Sequence, residues 1–411
     1  MVRTYGASFE KLYAAAVGTR LGDAARTSAV AVLAAKLTGS PAAVSVVLAM
    51  SFAPWLLFGL PAGALVDRWD KRRAFLTADS VRCAAAALLC SLALSGRLSI
   101  TLLIVFVFLL TTLQTVSDSC FNSLLPSIVE EKDLGAANAR LSASQSTVGI
   151  VAAPLGSWLA IVSSALPFLL NVVTFGAAAG WVTALPRDTD WHSKAKPVRA
   201  APRTLARDIR DGLGAVRTRG LLSTLLLCVS VNNFCNGLNS AMLPLLSIRS
   251  VGLHPAAFGF LTGAGAACMV AGNLLAGRLA DRGTPHHHVA ALAIGMKLPG
   301  FLLICAAHSP MPLALGTATL GLASGLWNVP SSTLLMTTAP REMIGRTMAL
   351  FRTVSVAGMP LGALASGLLG SLAGVRSSSL AAAVLSGMVL VGYLCRLRRL
   401  PSQVLTSPAG D

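Results

Sequence analysis

"PAAVSVVLAMSFAPWLLFGLPAGALVDR" at residues 41–68 and "PAAFGFLTGAGAACMVAGNLLAGRLADR" at residues 255–282 repeat one pattern 214 positions apart, without a gap. Pro41 falls on Pro255, Gly63 on Gly277, Leu65 on Leu279, Asp67 on Asp281 and Arg68 on Arg282. Each copy is an apolar run long enough to cross a bilayer, closed by a charged turn; a spanning helix needs about 20 such residues. A second offset, of 206, aligns Asn122 with Asn328, Arg140 with Arg346, and "PLG" 154–156 with "PLG" 360–362. The chain is therefore two copies of one half. Parallel halves related by an axis along the membrane normal are the layout of one large class of secondary transporters.

Composition agrees with this reading. Of the 411 residues, 54% are hydrophobic and 12% charged, about half the charged share of a soluble domain. Twelve apolar spans follow: 12–36, 42–66, 74–96, 99–126, 136–163, 165–185, 220–247, 255–280, 287–307, 311–337, 343–371 and 377–396. The first span is full length and lacks a cleavage-site pattern, so no cleavable signal peptide is expected. The fold class expected is an all-α membrane protein with twelve transmembrane helices in two six-helix halves related by a pseudo-two-fold axis. Residues 1–185 form the first bundle, 186–219 a linker, 220–400 the second bundle and 401–411 a tail.

The net charge of +17 raises the question of nucleic acid, and its placement answers it. With the termini and the even-numbered turns on one side, that side holds 26 of the 33 Lys and Arg. Lys36, Arg97, Arg249 and Arg376 fall on the other, and Arg20, Arg26 and Lys297 within spans. This is the positive-inside pattern; it places both termini in the cytoplasm, in a multi-pass protein of the cell inner membrane, with no nucleic-acid partner. In the linker, Leu205, Ile209, Leu213 and Val216 share one helical face and Arg203, Arg207 and Arg210 the other, the pattern of an amphipathic helix at a lipid surface.

Enzyme chemistry finds no support. No Gly-x-Ser-x-Gly, Walker motif or dinucleotide fingerprint stands in a suitable context, and without a P-loop an ion or substrate gradient must supply the energy. The eight cysteines are scattered singly, with no C-x-x-C. His286, His287 and His288 are placed in a cytoplasmic turn as solvated side chains. No cofactor or metal is expected.

Charges inside spans are costly and mark functional sites by default. Asp23 lies mid-span, with Arg20 and Arg26 three residues away on either side. It can carry a proton as its surroundings alternate, or form a fixed intrahelical pair. Asp118 shares a face with Gln114, Ser117 and Asn122; it faces a cavity or pairs with the basic run 71–73. Asp79 and Arg82 read as a local structural pair, and Lys297 carries no assigned role. Asn232, Asn236 and Asn239 recur on one face of span 7, and Trp327 and Asn328 sit in span 10. Amides inside a membrane need partners, so these residues either line a substrate cavity or bond between helices. The proton-coupling candidates are Asp23, Arg26 and Asp118. The cavity candidates are Gln114, Asn122, Asn232, Asn236, Asn239, Trp327 and Asn328.

"GTRLGDAARTSAVAVLAAKLTGSP" in span 1, "GLPAGALVDRWDKRR" after span 2, "ADSVRCA" in span 3 and "SVGLHPAAFG" with "GRLADR" around span 8 resemble the major facilitator superfamily. More narrowly, they are similar to the branch of bacterial enterobactin and macrolide exporters. The resemblance implies rocking of two bundles around a central cavity lined by spans 1, 4, 7 and 10. It also implies pairing of Asp118 with the basic run 71–73. It makes Gly63, Asp67, Arg68, Lys71, Arg72, Gly277, Asp281 and Arg282 a gate motif, with Asp67 docked near the start of span 11 as a latch for the outward-open state. Two departures stand out: Asp70 replaces the usual turn glycine, and Ala153 precedes Pro154 where antiporters carry Gly-Pro. The function expected is proton-coupled efflux of a small amphiphilic molecule by a monomeric carrier in contact with membrane lipid. The alternatives are a metabolite facilitator or importer on the same fold, or a non-transporting receptor or assembly partner.

Overall fold

The structure is a computed structural model that describes residues 7–66, 69–129, 131–185, 220–338 and 344–399. The linker 186–219 with its amphipathic segment, the tail, and Asp67 and Arg68 of the gate motif lie outside the described residues. Helices make up nearly all that is described. They are α1 (Ala7–Leu37), α2 (Pro41–Met50), α3 (Ala53–Val66), α4 (Lys71–Leu94), α5 (Ile100–Ile128), α6 (Leu134–Val162), α7 (Leu166–Thr183), α8 (Gly220–Leu245), α9 (Pro255–Asp281), α10 (His286–Cys305), α11 (Pro310–Thr338), α12 (Ile344–Ala373) and α13 (Ser377–Arg399).

These helices are the twelve expected spans, with one difference. Span 2 is two pieces, α2 and α3, separated by a turn at Ser51 and Phe52. Pro54 is the reason: it has no N–H to offer the Met50 carbonyl, so the first piece ends there. Elsewhere the ends follow local chemistry. The Ser99 hydroxyl accepts from the Leu102 amide at 3.3 Å, and the Asp70 carboxylate from the Arg73 amide at 3.0 Å, satisfying first-turn donors. Gly96 and Gly374 follow α4 and α12 with positive φ, which an L side chain resists. Among the described residues, nine spans are long and apolar enough to cross a membrane by length and composition alone.

The described helices pack as two compact units. One contains α1, α3–α7 and the first turns of α9; the other contains α2, α8, the rest of α9 and α10–α13. In the first unit Phe9, Leu12, Phe75, Leu124 and Val182 form an apolar core; in the second Leu222, Leu225, Ala290, Trp327 and Tyr393 do so. Large apolar side chains such as Leu57, Val105, Val173, Leu274 and Leu368 stand exposed, as hydrocarbon solvent permits and water does not.

Glycines set the close helix seams, and two of them occupy matching places in the two units. A Cβ on Gly156 of α6 would collide with the Ala25 carbonyl of α1, and one on Gly362 of α12 with the Phe234 carbonyl of α8. Small residues at such seams let backbones approach and gain dispersion contacts. Arg82, grouped above with the cytoplasmic charges, is instead buried in the middle of α4. The histidine triplet opens the first turn of α10 rather than a turn, with His287 buried.

Candidate functional site

The densest chemistry lies inside the first unit, where α1, α4, α5 and α7 meet. Asp23 is 5% exposed, Arg26 2%, Arg82 1% and Asp79 0%. Arg82 is the hub. One guanidinium nitrogen donates to Asp23 Oδ1 at 2.6 Å, and the other to Asp79 Oδ1 at 2.9 Å. The plane of the cation sits 3.9 Å from the Phe175 ring centre on α7, a contact that helps a desolvated cation. Arg26 donates to Asp23 Oδ1 at 3.2 Å and to the Gln114 side chain at 3.4 Å. The Ser117 hydroxyl donates to Asp79 at 2.7 Å. Burying ions is tolerable only when partners and hydrogen bonds replace water, and here each carboxylate has a guanidinium.

Sequence reasoning anticipated part of this cluster. The Asp23–Arg26 pair forms, but Arg20 turns to Asp118 at 2.7 Å. Asp118 therefore does not pair with the basic run: Lys71 donates to the Ser123 carbonyl, Arg72 to the Thr183 carbonyl, and Arg73 pairs with Asp70. The missed residue is Arg82, expected as the local partner of Asp79 and found to join α4 to α1. The signal was available: an i,i+3 pair locates one partner only, while a guanidinium fork has donors to spare.

A second ion pair joins α1 to α6. Arg140 donates to both oxygens of Glu10 at 2.6 and 2.9 Å and lies 4.2 Å from the Tyr13 ring centre. Arg140 was expected only as a marker of the repeat.

Asn232, Asn233 and Asn239 of the second unit find partners within it. Asn232 accepts from the Lys297 ammonium of α10, and Asn239 from the Ser379 hydroxyl of α13 at 3.4 Å. Asn233, not singled out by the spacing, donates to Ser355 of α12 at 2.8 Å. These contacts are interhelical bonds. Asn236 is half-buried. Trp327 is buried in the core, while Asn328 is exposed and donates to Asn273 at 3.4 Å. Gln114 is half-buried beside Arg26, and Asn122 is exposed. Gly63 falls within α3; Asp281 and Arg282 are exposed at the end of α9, and a Cβ on Gly277 would meet nothing. Among the described residues no three His, Cys, Asp or Glu side chains gather as a metal set.

Comparison with known proteins turns this geometry into a family. Residues 5–409 match the family model described as transmembrane secretion effector. The chain belongs to that family, within the major facilitator superfamily. Macrolide efflux protein A of Streptococcus pyogenes is 22% identical over 347 residues, covering 82% of this chain and 83% of the relative. The protein of that name from Enterococcus faecalis is 22% identical over 329 residues, 77% and 99% of the two chains. Among solved structures, a peptide transporter, POT, is similar with a TM-score of 0.75 at 15% identity, covering 95% of both chains. A bacterial homologue of the human lysosomal transporter Spinster scores 0.73 at 14% identity, over 99% and 100%. At such identities the likeness to solved structures concerns the fold. Family and fold together make this chain a multi-pass membrane transporter of the major facilitator type.

Proposed function

We propose that this transporter is a proton-coupled exporter of a small amphiphilic molecule, working by alternating access as a monomer in the cytoplasmic membrane with both termini inside. The efflux named in its curated relatives supports the direction, and macrolides are the first compounds to test. The observation that carries the reading is Asp23, buried between Arg82 and Arg26 where α1 meets α4. A proton on Asp23 cancels the charge that holds Arg82 to α1, leaving Arg82 to Asp79 and loosening one helix from the other. Deprotonation restores the bond. Asp118 with Arg20 is the second proton-coupling candidate. Asn122, Asn236 and Asn328 are the candidates for substrate contact that no buried cation occupies, and Gln114 is a candidate that also accepts from Arg26. In the same reading the turn motif around Asp67, Arg68, Lys71 and Arg72, echoed at Asp281 and Arg282, acts as the gate latch, and residues 186–219 link the two bundles.

The test is transport in proteoliposomes under an imposed pH gradient, with a panel of macrolides and lipophilic dyes. Wild type is expected to accumulate substrate only with the gradient. Asp23→Asn is expected to lose at least tenfold of that accumulation while remaining folded and membrane-inserted. Undiminished gradient-driven transport by Asp23→Asn would sink the proton role. Gradient-independent equilibration by wild type would make the protein a facilitator.

A further inference from the structure

The two halves build one brace from different residues. Arg82 is the twelfth residue of α4 counted from Lys71, and Lys297 is the twelfth residue of α10 counted from His286. Asp23 lies 18 residues before Pro41, and Asn232 lies 23 before Pro255. The five additional residues equal the π-helical turn Leu246–Ser250 that extends α8. Lys297 on Asn232 therefore stands where Arg82 stands on Asp23.

The charge balance does not repeat. In the first unit Arg20, Arg26 and Arg82 face Asp23, Asp79 and Asp118. Residues 220–400 contain two acids, Asp281 and Glu342; Asp281 is exposed at the end of α9, and Glu342 lies outside the described residues. Lys297 is 3% exposed. It is surrounded by Cys228 and Asn232 of α8, Ile294 of its own helix, Trp327 of α11 and Ser386 of α13. None of these is acidic. A cation taken out of water without an anion costs several kcal/mol, and nothing described around Lys297 supplies that anion.

Beside it lies a route for one. A cleft of about 410 Å³ opens between α8 and α13, walled by Leu227, Val231, Leu385 and Met388, with Thr224 and Arg396 also on its lining. Its volume is within the range of roughly 300–1,000 Å³ common to small-molecule sites. Cys228, Val231 and Val389 belong both to this cleft and to the pocket that holds Lys297. Leu227 and Met388 are 59% and 57% exposed, so the rim is apolar and open to hydrocarbon. We infer that the cleft between α8 and α13 takes the tail of a long-chain carboxylate, and that its head group pairs with Lys297 where the cleft meets the small pocket of Lys297, Asn232 and Ser386. That pocket by itself has room only for a water. Charge complementarity selects the head, because the carboxylate restores what Asp23 and Asp79 supply to Arg82. The apolar walls select the tail. The site stands apart from the exporter reading, since binding there requires no transport.

The test is equilibrium binding of radiolabelled oleate to the full chain in a neutral maltoside detergent. Wild type is expected to bind saturably at one site. Lys297→Arg keeps the cation and should stay within about threefold, while Lys297→Met should weaken binding at least tenfold. Asn232→Asp is the second probe: it gives Lys297 a carboxylate of its own, as in the first unit, and should also weaken binding at least tenfold in a protein that remains monodisperse. Absence of saturable binding by wild type overturns the proposal, as does wild-type affinity in Lys297→Met or Asn232→Asp. Butyrate competing as well as laurate would remove the cleft as the seat of the tail. Displacement by dioleoyl phosphatidic acid as effective as by unlabelled oleate would overturn the commitment to a carboxylate.

Discussion

The first unit and the second share a scaffold and differ in what they bury. At the seams they agree: Gly156 lets α6 against α1, and Gly362 lets α12 against α8, each on a backbone carbonyl. At the brace they diverge. The first unit balances three guanidinium groups with three carboxylates, whereas the second holds one ammonium against a neutral amide. The repeat thus keeps helix approach, which any bundle needs, and frees the buried polar groups for different tasks. A balanced cluster supplies every buried cation with an anion from within; a lone cation asks for one from elsewhere.

Four substitutions sharpen this comparison, in descending order of effect. Arg82→Met leaves Asp23 and Asp79 buried without their shared cation, a loss of about 3–5 kcal/mol for a broken buried pair. Thermal unfolding of the detergent-solubilised protein should fall steeply, and an unchanged midpoint would mean that the cluster rearranges freely. Gly156→Ala and Gly362→Ala should each cost about 1–3 kcal/mol by overpacking against backbone, and by similar amounts if the seams are equivalent. A loss in one variant alone breaks the equivalence. Glu10→Gln should matter least, below about 1 kcal/mol, because Glu10 and Arg140 are 40% and 27% exposed and water screens the pair. A large destabilisation there would place the Glu10–Arg140 link among the buried braces.

The twelve spans were legible because hydrocarbon demands long apolar runs, and the repeat because 41–68 and 255–282 align without a gap. Asp23 and Arg26 were legible as charges where charges are expensive. The partner of Asp23 was not. Arg82 stands 59 residues away, and helical spacing names neighbours on one helix while saying nothing of the helix that packs against it. The same limit hid the ties of Asn232 to Lys297 and of Asn239 to Ser379, while the family resemblance had assigned Asp118 to the basic run instead of Arg20. The break between α2 and α3 was readable in principle, since Pro54 removes one backbone donor, but a hydropathy window averages over it.

Sequence alone determined the solvent, the number of spans and the doubling of the chain, because hydrophobic length and repetition are properties of a linear string. Which charges meet was decided only by tertiary structure. Coulombic pairing in a low-dielectric interior depends on distances of a few ångströms between helices, and those distances exist only once the helices are packed.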